Sequence, residues 1–171
     1  MTCACVKYDD LECVRSAVSK RIKESRALRQ AFQRIAVHAN SEHALYECQA
    51  CKQLWQESRA WNWGNEKYMF KVPYIHEDEW HKEVFVQPDD LLVFTAVAGG
   101  FFDANNFVEG SSSCNKPGCP NKAVEGLVSC LQHHFESLQR IQTLPPYPSG
   151  RWFGPYIRSN IVPFSDNASA L

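Results

Sequence analysis

Apolar residues recur at steps of three and four near the amino terminus: Leu11, Val14, Val18 and Ile22, then Leu28, Phe32 and Ile35. This is the helical period, and it predicts one long helix or two short ones over residues 9–39. Asp9 or Asp10 would cap the start of that helix and Asn40 would stop it. Arg15, Lys20, Arg21, Arg29 and Arg34 fall mostly off the apolar stripe and read as a solvated face. Residues 44–59, ALYECQACKQLWQESR, read as a hairpin folded around Cys48 and Cys51. Residues 68–73 form a strand ended by Pro73, and residues 83–86 a second short strand. Pro88-Asp89-Asp90 then opens the run LLVFTAVA, a buried helix with acids in its first turn, which Gly99-Gly100 should end.

Residues 111–113 link into a second cysteine cluster. Residues 124–142 are expected to contain a further helix, where Leu127, Cys130, Leu131, Phe135, Leu138 and Ile141 keep helical spacing. The prolines and glycines of PPYPSGRWFGPY exclude long regular structure there, and its aromatics suggest a strap over the body. SDNASAL reads as a frayed end. The expected class is α+β: an amino-terminal helix or helix pair, a small antiparallel sheet carrying a Cys-x2-Cys knuckle, and a metal module ending in a helix. The implied organisation is a core over residues 1–110, the module over 111–143, and the strap and tail over 144–171.

At 171 residues a chain buries roughly 70% of its unfolded surface, so a core does not depend on metal. Hydrophobic residues at 44% and charged residues at 22% are ordinary globular values and argue against wholesale disorder. The first ten residues, MTCACVKYDD, lack the basic and apolar regions of a signal peptide. No apolar run reaches membrane-spanning length. A soluble, cytoplasmic protein is the expectation. Charge is uneven: residues 54–110 hold ten acids against four bases, with mildly basic stretches on either side. A nucleic-acid-binding domain would show a concentrated basic stripe instead.

Eight cysteines acquire a reason from their spacing. In a compartment that keeps thiols reduced, short spacings point to metal. In CNKPGCPNKAVEGLVSCLQHHF, Pro117-Gly118 turns the chain between Cys114 and Cys119. The first turn of the following helix can then offer Cys130 and His133 on one face. Four soft or borderline donors in this arrangement suit a structural zinc ion, with His134 the competing fourth ligand. Cys48-Gln-Ala-Cys51 is a second, incomplete set. Its completing ligands would come from His43, His76 and His81 or from Cys3 and Cys5; otherwise the pair is bare or redox-active. One zinc ion is therefore expected, and a second if the knuckle finds partners.

The first pattern, with Gly118-Cys119, Ala123, Gly126-Leu127, Cys130 and His133, resembles the short treble-clef-like zinc modules of many bacterial, phage and plant proteins. Val128 and Ser129 are an insertion relative to such modules. The resemblance implies a structural metal and no particular activity. Separately, ECQACKQLW is similar to a zinc-ribbon knuckle, and loosely to small bacterial immunity proteins that neutralise a toxin.

Enzyme signatures are missing. The paired His-x-Glu and Pro-Cys-x-x-Cys of zinc deaminases is not present. His76 and His81 stand five apart, whereas zinc proteases need four. No phosphate-binding glycine loop or nucleophile elbow occurs. An HNH-type nuclease needs an open metal position, which three cysteines and a histidine would close. The expectation is a non-enzymatic protein that binds a basic protein partner, such as a toxin, through Glu77, Asp78, Glu79 and Trp80. The alternative is a zinc-containing nucleic-acid-binding or transcription-related protein using the amino-terminal helix with Lys116 and Lys122.

Overall fold

The computed structural model describes residues 3–9, 12 and 14–156. The fold is mixed α+β, with two compact units: residues 1–92 with 148–157, and residues 93–147 with 158–171.

The first unit is built on a four-stranded antiparallel sheet in the order β1-β2-β3-β4. Its strands are β1 (Gln33–Val37), β2 (Ala44–Glu47), β3 (Leu54–Ala60) and β4 (Glu66–Val72). β3 is buried at every position but Arg59, so both of its faces are covered. On one face Leu45, Leu54, Tyr68, Phe70 and Val72 pack with Trp80, Phe85, Val86, Phe153 and Tyr156. On the other, Trp55 and Met69 pack with Cys5, Leu28, Phe32 and Tyr46.

Helix α1 (Arg15–Ala31) buries Val18, Arg21, Ser25 and Leu28, spaced three, four and three apart as one helical stripe requires. It lies along the β4 edge and repairs it. The Met69 N–H donates to Ser25 Oγ at 2.8 Å, and Arg21 Nη1 donates to the Met69 carbonyl. Backbone groups that would be open on an edge strand are thereby satisfied. The helix is shorter than its apolar spacing predicts. Phe32 is already extended, its ring 5.4 Å from Trp55, and Ile35 is the extra residue of a bulge in β1. Tertiary packing on Trp55 overrides the helical period there. Val14, not an aspartate, precedes the first turn; Asp10 and Leu11 lie outside the described residues.

Residues 83–86 contribute one parallel bridge, Phe85 to Arg151, instead of a strand. Gln56 explains why. Its carbonyl oxygen accepts from Phe85 N–H and from Trp80 Nε1, while its amide nitrogen donates to Phe85 C=O and Ser58 Oγ. A buried glutamine does the work of a neighbouring strand and uses both ends of its amide. The aromatic strap is seated by the same bridge, with Arg151 N–H donating to Val84 C=O and Val86 N–H to Arg151 C=O. Short helix α2 (Glu77–Lys82) follows β4.

Helix α3 (Pro88–Ala104) continues through Gly99 and Gly100. A glycine costs a helix only about 1 kcal/mol, and Phe101 and Phe102 beyond it pack against Phe135. The second unit also holds β5 (Glu109–Ser113), β6 (Lys122–Val124) and α4 (Leu131–Arg140). Helix α4 lies within the 124–142 span expected to contain a helix, and β6 with a turn, in which Val124 N–H donates to Ser129 C=O, fills the part before it. Leu127 and Ile141 are exposed. Among the described residues no helix is long and apolar enough to cross a membrane.

Two outcomes follow for stability. Asp89 is fully buried, and burial, then the neighbouring Asp90 charge, raise its pKa to about 6 against the opposing N–H groups of Asn62, Asp89 and Asp90. Its folded pKa lies above its unfolded value. The associated stabilisation is therefore complete below about pH 4 and is lost as pH rises through 6. Asp89→Asn should raise the unfolding free energy by on the order of 2 kcal/mol at pH 7.5 and much less at pH 4; denaturant titration at both values checks it. Gly150 has φ of +121°, and a Cβ there would lie 2.8 Å from Val84 O. Gly150→Ala should cost roughly 2 kcal/mol or more, read as a lowered melting temperature.

Candidate metal centres

Among the described residues each unit contains one group of four metal-donor side chains. In the first unit these are Cys3, Cys5, Cys48 and Cys51; in the second, Cys114, Cys119, Cys130 and His133. Within each group the donor atoms lie within 4.8 Å of one another.

The first group joins a hairpin tip to the amino-terminal arm. Between β2 and β3 the chain makes a tight knuckle, with Lys52 N–H donating to Cys48 C=O at 2.8 Å and Cys48 N–H to Gln53 C=O at 3.0 Å. Lys52 adopts φ of +62° to close it, a left-handed conformation uncommon for a side chain of this size. The arm approaches as a 3-10 turn, Ala4–Lys7, whose preceding residue Cys3 accepts from Cys5 N–H through Sγ. Cys3 Sγ lies 3.1 Å from Cys51 Sγ and 3.3 Å from Cys48 Sγ. Cys5 is buried, and the fully buried indole of Trp55 donates to its sulfur at 3.3 Å. Burial pushes the Cys5 thiol up, beyond what the indole N–H recovers. At Cys48 burial also acts upward, but the N–H groups of Cys51 and Ala50 and the neighbouring thiols outweigh it and bring the group to about 7.

The second group is assembled by the β5–β6 pair and α4. Gly118, at φ of +77°, turns the chain between Cys114 and Cys119, and Cys119 N–H closes the turn on Lys116 C=O. Cys114 N–H donates to Asn121 C=O, and Asn115 N–H to Val128 C=O, holding the loop against the segment that leads to α4. Cys130 is the residue before α4, and His133 stands three further on. His133 Nδ1 is 3.3 Å from both Cys114 Sγ and Cys130 Sγ, while Cys119 Sγ is 3.9 Å from Cys130 Sγ. At Cys114 burial raises the thiol, and N–H donors from Cys130 and Lys116 with the His133 ring overcome it, lowering the group to about 6.

These separations fit a single ion. A tetrahedron with metal–sulfur bonds of about 2.3 Å and metal–nitrogen bonds of about 2.0 Å has edges of roughly 3.5–3.8 Å. The closest observed contacts, 3.1–3.9 Å, bracket that range and exceed the ~2.05 Å of a disulfide. Thiolate-rich donor sets favour soft and borderline metals, and backbone N–H groups aimed at sulfur stabilise the ionised ligands.

The expected Cys114, Cys119, Cys130 and His133 thus meet, and so do Cys48 and Cys51. His134 does not join them; its ring faces Phe101 and Phe107. The open question at the knuckle is answered by Cys3 and Cys5, not by histidines. His43 is buried with Nδ1 2.8 Å from Ser58 Oγ, His76 stacks edge-on against Tyr74, and His81 lies beside Trp80 and Glu77. The Cys3-x-Cys5 spacing was the available signal, because a hairpin tip can reach either end of the chain. Trp80 needs correction as a partner-binding residue. It is fully buried with its indole N–H committed to Gln56, because the apolar side of a six-residue helix must face the core. Glu77, Asp78 and Glu79 are exposed.

The protein should carry two metal equivalents by elemental analysis. Cys119→Ser or His133→Ala should remove one, and Cys5→Ser or Cys48→Ser the other. The first unit has two apolar clusters away from its donor group, and in the second Phe101 and Phe102 pack on Phe135, so far-UV circular dichroism should change little while local hydrogen exchange accelerates around the affected group. Full metal retention in all four variants would refute both centres. No protein-family model, curated protein or solved structure matches this chain.

Proposed function

We propose that this chain is a non-enzymatic, zinc-stabilised binding protein of the cytoplasm whose partner is a basic protein. The observation that carries the reading is the completeness of both donor groups. Four protein donors, all sulfur or imidazole, are the composition of structural zinc sites, whereas catalytic sites use three and leave a position for water. On this reading the 114–133 segment is a treble-clef-like module, and zinc at both centres holds surfaces in place instead of performing chemistry.

The surface offered to the partner is the exposed acidic turn of α2, Glu77, Asp78 and Glu79, with Tyr74 beside it at 76% exposure. His81 and Lys82 sit close to Glu77 and Glu79, so Asp78 is the acid of the three with the least local compensation. An acidic face of this kind serves to steer a basic partner. In its most specific form the reading is an immunity protein that masks the nucleic-acid-binding face of a toxin. The competing nucleic-acid reading would use Lys20, Lys23 and Arg26, exposed on α1, and Lys116 and Lys122, exposed in the Cys114–Cys119 turn and at the start of β6.

Reversing Glu77, Asp78 and Glu79 to lysine should slow association with a partner captured from the native cell by about tenfold or more at low salt and flatten its salt dependence. Gel shifts with mixed DNA and RNA run alongside. Tight, salt-sensitive nucleic-acid binding that is lost on Lys116→Glu with Lys122→Glu, with no protein captured, would overturn the assignment.

A further inference from the structure

We propose that the four-cysteine centre is an oxidant-labile modification site, at which a peroxide joins Cys3 to Cys51 and the bound metal is lost, while the Cys114–His133 centre keeps its ion. The inference rests on the reading of both groups as metal centres.

Accessibility and distance single out this pair. Among the described cysteines Cys51 is the exposed one; Cys3 is half-buried, and Cys5 and Cys48 are buried. The shortest sulfur contact at the centre, 3.1 Å, joins Cys51 to Cys3 at the surface. Cys48 touches Cys3 at 3.3 Å, but from the buried side. Cys5 is further protected by its bond from Trp55. Closing 3.1 Å to a disulfide bond of about 2.05 Å requires roughly 1 Å of movement, and the knuckle and the arm that supply the two residues are both short surface turns. The second centre differs on each count. No cysteine there is fully exposed, its sulfur contact is 3.9 Å, and one donor is an imidazole that forms no disulfide.

The chemistry balances with hydrogen peroxide as oxidant. Cys51 sulfur attacks one peroxide oxygen, the O–O bond breaks, and the departing hydroxide takes a proton to become water. Cys3 sulfur then attacks the resulting sulfenic sulfur, forming the S–S bond and expelling a second hydroxide, also protonated to water. Two thiolates, one hydrogen peroxide and two protons give one disulfide and two waters. Cys5 and Cys48 remain, too few donors to retain the ion. The new bond keeps the amino-terminal arm attached to the knuckle, so metal is lost without release of the arm, and a thiol reductant with zinc reverses the change.

The test uses the purified full chain and a chromogenic zinc chelator. Metal content is measured first: fewer than two equivalents would show that the metal reading itself fails, separately from this proposal. With two equivalents present, hydrogen peroxide should release one at least about tenfold faster than the other. Peptide mapping after alkylation should find Cys3 joined to Cys51, and dithiothreitol with zinc should restore the ion. Cys51→His, which puts a nitrogen donor in place of the sulfur and cannot form the bond, should abolish the fast phase. If that variant does not load metal, the wild-type mapping decides alone. Loss of both equivalents at one rate, no release, or a first disulfide between any other pair would overturn the proposal.

Discussion

A guanidinium without access to water needs all its partners in place, and Arg21 gathers them from several parts of the first unit. It pairs with the buried carboxylate of Glu12, donates to the carbonyls of Met69 and Asp9, and lies over the rings of Tyr8 and Trp55. Breaking such a pair leaves a buried charge uncompensated, at a cost of about 3–5 kcal/mol. One side chain thereby ties the amino-terminal arm, α1, the edge strand β4 and the central strand β3 to a single arrangement. Trp55 is the pivot. One face of its indole receives the guanidinium, and its N–H reaches the sulfur of Cys5. The geometry of the first metal centre is thus inherited from the core beneath it.

The two centres relate differently to their surroundings. In the first unit the arm and the knuckle are 45 residues apart, and the donors close a loop over a core that already exists. In the second, the strands are short, with β5 exposed at most positions. Its apolar packing comes mainly from the aromatic side chains of α3 and α4. The loop from residue 114 to the start of α4 has few buried side chains of its own apart from the ligands, Ala123 and Val124. A structural metal contributes folding free energy, so an ion bound at the second group would support its loop more than one at the first group would support the knuckle.

Much of this organisation was legible in the residues. The α+β class, the hairpin around Cys48 and Cys51, the strand before Pro73 and the Cys114–His133 set follow from local spacing, which turns and helix starts translate directly into geometry. What was not legible depended on distant partners. Phe32 and Ile35 keep helical spacing yet lie beyond the end of α1, because Trp55 draws Phe32 into an extended chain. Residues 83–86 have strand composition, but their backbone is satisfied by the side chain of Gln56 and by Arg151. Trp80 stood among acids and suggested a surface anchor; six residues of helix have one inward face, and it occupies that face. The completing ligands Cys3 and Cys5 were among the candidates, but only the pairing of arm and knuckle selects them over the histidines.

The distance in sequence between the arm and the knuckle also sets an order of events at the ribosome. Cys3 and Cys5 emerge before the hairpin that receives them, which cannot form until about 55 more residues, through Ala60, have been made. At ordinary elongation rates that is an interval of a few seconds. During it the two thiols lack the partners that surround them in the fold. Completion of β3 ends the interval by presenting Trp55 and the second thiol pair together.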